Sequence, residues 1–159
     1  MNYRKATKED TYQLSQMRLD FQTETDEEKS VWSKEDFIKS CGEFYKNMIS
    51  SENWLFWVAE KKDEINAHVS LLIVDNIPIP SKKNNRWGYL TNTYTKKSYR
   101  NKGIGSKLVK HITDEAKKME VETIIVWPSD KSVDFYEKVG FSRENDVMEL
   151  KNPKPSGIG

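Results

Sequence analysis

The sequence predicts an α/β fold: a central mixed, largely antiparallel sheet of about six to seven strands with helices on both faces. Three observations carry this. Residues 54–95 hold three runs rich in aromatic and β-branched residues, separated by a turn and a polar loop, as successive antiparallel strands are. Segments with an apolar period of 3.6 residues lie before and after them. Residues 123–127, Thr-Ile-Ile-Val-Trp, form an apolar run of the kind found in strands buried on both faces.

The elements follow in order. Tyr3–Ala6 is a short strand. Thr7 can cap a first helix over Lys8–Thr23, with Asp10 completing a capping box and Leu14, Met17 and Phe21 on one face. Ser33 caps a second helix, in which Phe37, Ile38, Cys41, Phe44, Tyr45, Met48 and Ile49 keep the helical period. Trp54–Glu60 and Ile65–Val74 are strands joined by a turn at Asp63-Glu64, and Trp87–Thr95 is a third, after a loop broken by Pro78 and Pro80. Ile104, Leu108, Ile112, Ala116 and Met119 mark one face of the next helix. A strand over 123–127 ends at Pro128. Ser132–Lys138 is a short helix stopped by Gly140, and Val147–Leu150 is a last strand. Residues 1–151 read as one domain and 152–159 as a loose tail.

Composition excludes several classes of function. The net charge of +1 gives no global pull toward nucleic acid or an acidic membrane. Cys41 is the sole cysteine, so neither an intrachain disulfide nor a thiolate metal cluster can form. No run has the length of a signal peptide or a membrane span, and the expected compartment is the cytoplasm. Charge is nevertheless uneven. Asp20, Glu24, Asp26, Glu27 and Glu28 cluster between the first two helices without a base among them, whereas Lys96–Lys118 is strongly basic.

The basic segment contains Tyr99-Arg100-Asn101-Lys102-Gly103-Ile104-Gly105-Ser106, at the entry to a helix. Free amides and the positive end of the helix dipole make such a place an anion site, and glycines let a ligand reach the backbone. The string is not a P-loop, since it lacks G-x-x-x-x-G-K-[ST]. It is not a dinucleotide fingerprint either, since Leu108 stands where a third glycine belongs. His68 and His111 are isolated in sequence: His68 reads as a satisfied or half-exposed strand residue, His111 as helix surface. Cys41, on an apolar helical face, reads as packing.

Arg100-x-x-Gly103-x-Gly105 instead resembles the Q/R-x-x-G-x-G/A signature of the GCN5-related N-acetyltransferase family. Asp134-Phe135-Tyr136-Glu137-Lys138-Val139-Gly140-Phe141 is similar to that family's terminal motif, and the order of elements agrees from Tyr3 to about Leu150. The chain departs from the pattern at Asn101, where the family often has Gly, and at Lys97, where it often has Pro.

The resemblance implies an acetyl-CoA-dependent N-acetyltransferase with splayed strands at the cofactor site. Amides of Lys102, Gly103, Ile104, Gly105 and Ser106, with Arg100 and Asn101 nearby, would hold the pyrophosphate. Tyr94 and Thr95 would offer a strand edge to the pantetheine arm. Ser129 and Ser132 would be weaker cofactor contacts. Tyr136 would donate a proton to the departing thiolate, with Phe135 and Val139 expected on the buried face of its helix. The acceptor would be a primary amine on a small cationic molecule, which attacks the thioester carbonyl directly in a ternary complex. Glu24 and Trp32, with Trp54 beyond them, would line its pocket. Glu27 and Glu28 are candidates for the base or for amine binding, with Asp20 and Glu60 as further carboxylates. No metal, nucleic acid or membrane partner is expected; a homodimer is, on resemblance alone. Two other readings remain: an acetyl-CoA-binding regulatory module without turnover, and an O-acetyl or longer-acyl transferase on the same scaffold.

Overall fold

The chain starts on a sheet edge. β1 (Asn2–Lys5) pairs antiparallel with β2 (Trp54–Lys61), β2 with β3 (Glu64–Asp75), and β3 with β4 (Arg86–Thr95). β5 (Thr123–Ile125) then joins β4 in parallel, so the order is β1-β2-β3-β4-β5. The computed structural model describes residues 1–25, 31–143 and 147–152. Among them the sheet has five strands, somewhat fewer than the sequence suggested, with the mixed and mainly antiparallel character intact.

Helices lie on both faces, and the strand alternation decides which side chain meets which helix. Trp54, Phe56 and Val58 of β2 pack with Leu14 and Met17 of α1 (Thr11–Thr25) and Tyr45 of α2 (Lys34–Met48). Leu55, Trp57 and Ala59, with Val69, Leu71 and Leu90, pack against α3 (Ile104–Lys118) and α4 (Val133–Lys138). Val58, Val69, Leu71, Leu90, Leu108 and Ile112 are fully buried. Local chemistry starts the helices as expected. Thr7 and Asp10 form the capping box, on a short 3-10 turn before α1. Ser33 Oγ accepts the Asp36 amide at 3.1 Å at the start of α2.

Two chain reversals shape the sheet. The β2–β3 hairpin turns on Lys62 and Asp63, at φ +54° and +61°. Those are the paired left-handed positions of a type I′ turn, one residue earlier than Asp63-Glu64. In β4, Ser70 faces Thr91 while His68 faces Tyr94, so β4 carries one extra residue. Asn92 takes φ +52° there, a β-bulge that turns the strand.

Two expectations at the C-terminal end are corrected. The run 123–127 is a strand only over Thr123–Ile125. It is the last strand of the sheet, so its outer side meets no further strand: Ile124 and Ile125 are half-buried and Trp127 is 58% exposed. Its apolar character reflects packing of Ile124 and Val126 on the α3 side rather than burial on both faces. Val147–Leu150 forms no strand. It pairs with no edge, and Val147, Met148 and Leu150 are exposed.

Candidate active site

β4 and β5 pair only through Trp87–Thr123, Gly88–Ile124 and Tyr89–Ile125. Beyond this, β4 runs on through Leu90–Thr95 with no strand against that side among the described residues. β4 therefore outruns β5, leaving an edge of backbone groups free to pair with an extended, amide-bearing ligand. The free end of β4 reaches the first turn of α3 at Thr95.

That N-terminus is built by backbone conformation. Asn101 and Gly103 both take left-handed φ, +60° and +72°. The departure at Asn101 is thereby explained: the position needs positive φ, and asparagine tolerates it best after glycine. Lys97 opens the short 3-10 turn Lys97–Tyr99, a first-turn position that proline also suits. The first α3 hydrogen bond runs from the Lys107 amide to the Gly103 carbonyl at 3.2 Å. The amides of Gly103, Ile104, Gly105 and Ser106 thus have no intrahelical acceptor and share the positive end of the dipole. Nothing lies within 4 Å of a Cβ built on Gly103, so its approach is open. Gly105 serves packing instead. A Cβ there would sit 3.4 Å from the Phe135 ring and 3.7 Å from Thr95 Oγ1, which brings α4 and the end of β4 onto the first turn of α3.

Tyr136 is carried on α4 to the same region. It is buried at 8% exposure, edge-on to Phe135 at 5.0 Å and to Phe141 at 5.6 Å. Burial pushes its hydroxyl pKa up, and the Thr93 hydroxyl of β4 offsets this in part. Its proton is therefore in place at neutral pH. Phe135 and Val139 are only half-buried, so the expectation that they take the buried face gives way: Tyr136 lies deeper than either. Ser129 and Ser132 sit between β5 and α4 and bond one another, Oγ to Oγ at 3.1 Å, with the Ser132 amide on the Ser129 carbonyl at 2.9 Å. These bonds give them a local turn role.

On the opposite face, α1 ends beside the same loop. Glu24 Oε1 accepts the Tyr94 hydroxyl at 2.7 Å, and Oε2 accepts from the Arg100 guanidinium at 2.7 Å. Burial alone would push this carboxyl up; the bonds from Arg100 and Tyr94 outweigh it and hold the pKa below the ordinary range. Burial and the carboxylate push Tyr94 up to about 12. Asp20, Thr23, Glu24, Tyr94, Lys96, Lys97 and Ser98 line a shallow hollow here. Trp32 is half-exposed and lines a separate hollow with Asp36, Lys39 and Glu43. Trp54 is stacked on Phe56 at 5.5 Å within the α2 packing. Glu60 is held by Arg4 and Asn2 at the β1 end of the sheet. Glu27 and Glu28 lie outside the described residues.

Sequence reasoning missed a polar group under α1 and α2. Asn92, on the bulge, donates its amide to the Tyr45 hydroxyl at 2.8 Å and accepts from Arg18 at 3.2 Å. Burial pushes Tyr45 up to about 12. His68 is 1% exposed, and neither ring nitrogen has a hydrogen-bond partner among the described residues. It is thus neither satisfied nor half-exposed, as the sequence had suggested. Burial first, and then the Arg18 charge, push its pKa down to about 3, so the ring is neutral. An asparagine inside a strand was the available signal, since asparagine is depleted in regular strands and favoured at left-handed positions.

Comparison with known proteins follows this geometry. A family model for the acetyltransferase (GNAT) family matches residues 12–141. A solved protein from Clostridium acetobutylicum, described as a predicted acetyltransferase with acetyl-CoA, superposes with a TM-score of 0.80 at 27% identity, over 94% of this chain and 95% of its own. Glucosamine-6-phosphate N-acetyltransferase from Arabidopsis thaliana superposes at 0.67 with 21% identity, over 96% and 97% of the two chains. An aminoglycoside 6'-N-acetyltransferase from Acinetobacter haemolyticus does so at 0.71 with 13% identity, over 97% and 99%. These last two share the fold alone. No curated protein sequence matches significantly.

Proposed function

The chain belongs to the acetyltransferase (GNAT) family, and from that premise we propose that it transfers the acetyl group of acetyl-CoA to a primary amine on a small cationic molecule. The observation that carries this reading is the open first turn of α3: left-handed backbone at Asn101 and Gly103, four amides without intrahelical acceptors, and a free β4 edge leading to them.

Bound acetyl-CoA supplies an activated thioester carbonyl to which a neutral amine can add with loss of thiolate. The chain's residues do the rest. The Gly103–Ser106 amides and the α3 dipole hold the pyrophosphate, and the Leu90–Thr95 edge orients the pantetheine arm. Tyr136 holds a proton for the leaving sulfur. A thiol titrates near 8.5, below a phenol, so complete transfer to the free thiolate is uphill; the Tyr136 O–H acts by donating to the sulfur as negative charge develops there, while the departing CoA leaves as thiolate or takes its proton from solvent. Ammonium groups titrate near 10, so a carboxylate or a water must first take a proton. Glu27, Glu28 and Asp20 are the candidates, because Glu24 is bonded through both oxygens. The protein acts in the cytoplasm in this reading.

Thiol release from acetyl-CoA, followed against polyamines, aminoglycosides, amino acids and peptide N-termini, tests the proposal. Amine-dependent release with one cationic class is expected. Binding of acetyl-CoA without release for any amine would leave the regulatory reading. Release only with alcohols, or only from longer acyl donors, would move the chain to the other transferase class.

A further inference from the structure

We propose that Glu24 is a positioning residue of the donor site: it clasps Arg100 from α1 and so fixes the loop that presents the Gly103 amides. The inference rests on the donor reading above and replaces the expected role of Glu24 as an acceptor ligand.

The geometry is one of closed contacts. Glu24 lies in the last turn of α1, and its Oε2 is 2.7 Å from the Arg100 guanidinium. The Arg100 Nε donates to the Thr95 carbonyl at 2.8 Å, and the guanidinium carbon sits 5.5 Å over the Tyr94 ring. Tyr94 in turn donates to the second Glu24 oxygen at 2.7 Å. Carboxylate, guanidinium, phenol and strand-end carbonyl thus share one arrangement. The planar fork of arginine allows this, and a lysine would not reproduce it.

What the clasp fixes is the exit of the chain from β4. Thr95 ends the strand, Arg100 precedes the two left-handed positions at Asn101 and Gly103, and both residues are held by one guanidinium. Within the loop, Lys102 Nζ donates to the Ser98 carbonyl at 2.8 Å; Gly103 faces open space, and no side chain caps α3, so the clasp is what ties the loop to α1 and the strand end. Glu24 also offsets the Arg100 charge, so the donor phosphates are held chiefly by amides rather than by a loose arginine.

The test is a set of acetyl-CoA titrations by calorimetry on the wild-type chain and on Glu24→Gln, Glu24→Ala, Arg100→Ala and the double Ala variant, with steady-state kinetics alongside. Glu24→Ala and Arg100→Ala should each raise the acetyl-CoA dissociation constant on the order of tenfold, and the double variant no further, since the pair acts as a unit. Glu24→Gln keeps one acceptor oxygen for Arg100 and can donate its amide to the Tyr94 hydroxyl, and should stay within about threefold of wild type. The amine KM and kcat should hold. An unchanged or tightened acetyl-CoA constant in Glu24→Ala, additive single effects, or a rise confined to the amine KM would overturn the clasp. If the wild-type chain binds no acetyl-CoA, the donor reading itself falls and the clasp with it. If the Ala variants do not fold, Arg100→Lys takes their place: it keeps the charge but loses the fork and should raise the acetyl-CoA dissociation constant several-fold, and an unchanged constant would overturn the proposal.

Discussion

The two faces of the sheet meet the candidate site in different ways. On the α3 side the site is made of backbone: two left-handed residues, an uncapped helix start and a strand that outruns its neighbour. On the α1 side it is made of side chains that are distant in sequence, Glu24 with Arg100 and Tyr94, Arg18 and Tyr45 with Asn92. Under the proposed function, the contrast separates what would hold a ligand of fixed chemistry from what can be varied. Amides bind phosphate whatever the neighbouring side chains are, whereas a side-chain network can be rewritten residue by residue.

The sharpest break in that contrast is Gly103→Asp. It places a carboxylate against the proposed phosphate site and forces a non-glycine residue to φ +72°. Acetyl-CoA binding should fall at least about a hundredfold in a calorimetric titration, while thermal stability falls by only about 1–2 kcal/mol. Tyr136→Phe should come next, lowering kcat by roughly ten- to a hundredfold with the acetyl-CoA dissociation constant unchanged. A loss of stability comparable to a core deletion, with kcat intact, would make Tyr136 a packing residue between Phe135 and Phe141.

On the α1 side the expected effect is on stability. His68 is buried and neutral, with its pKa pushed down to about 3 from an ordinary value of 6.5. Between those values the unfolded chain binds a proton that the folded chain does not, so stability is fully present above about 6.5 and is lost as pH falls toward 3. Denaturant melts at pH 7, 6, 5 and 4 should show a loss approaching about 1.4 kcal/mol per pH unit for this group. The slope should flatten in His68→Asn, and an equal slope in both proteins would remove His68 from the account. The smallest effect belongs to Asn101→Gly, which relieves a left-handed asparagine and should change stability by less than about 1 kcal/mol without weakening the donor. Asn101→Val at the same position should cost more.

Much of this was legible in the sequence, and the boundary follows the same contrast. Thr7 with Asp10, Ser33 with Asp36, and the left-handed Gly140 after α4 act within a few residues, so local chemistry predicts them. The glycine string predicts the α3 entry for the same reason. Local patterns say less about where an element lands. Of the apolar run at 123–127 only Thr123–Ile125 is strand, at the sheet edge, and Val147–Leu150, apolar at three of its four positions, joins no strand among the described residues. The acidic run suggested an acceptor pocket, but Glu24 is spent on Arg100, 76 positions away, a contact that no spacing announces. The bulge at Asn92 was hidden likewise, because its partners Arg18 and Tyr45 come from α1 and α2.

If the backbone of the α3 entry holds the donor, acetyl-CoA must shield its amides. Amide hydrogen exchange, with and without acetyl-CoA, tests it most directly. Slowed exchange is expected at Gly103, Ile104, Gly105 and Ser106 and along Leu90–Thr95, with α2 unchanged. Protection confined to α1 and α2, or no change at the α3 entry at saturating acetyl-CoA, would contradict it.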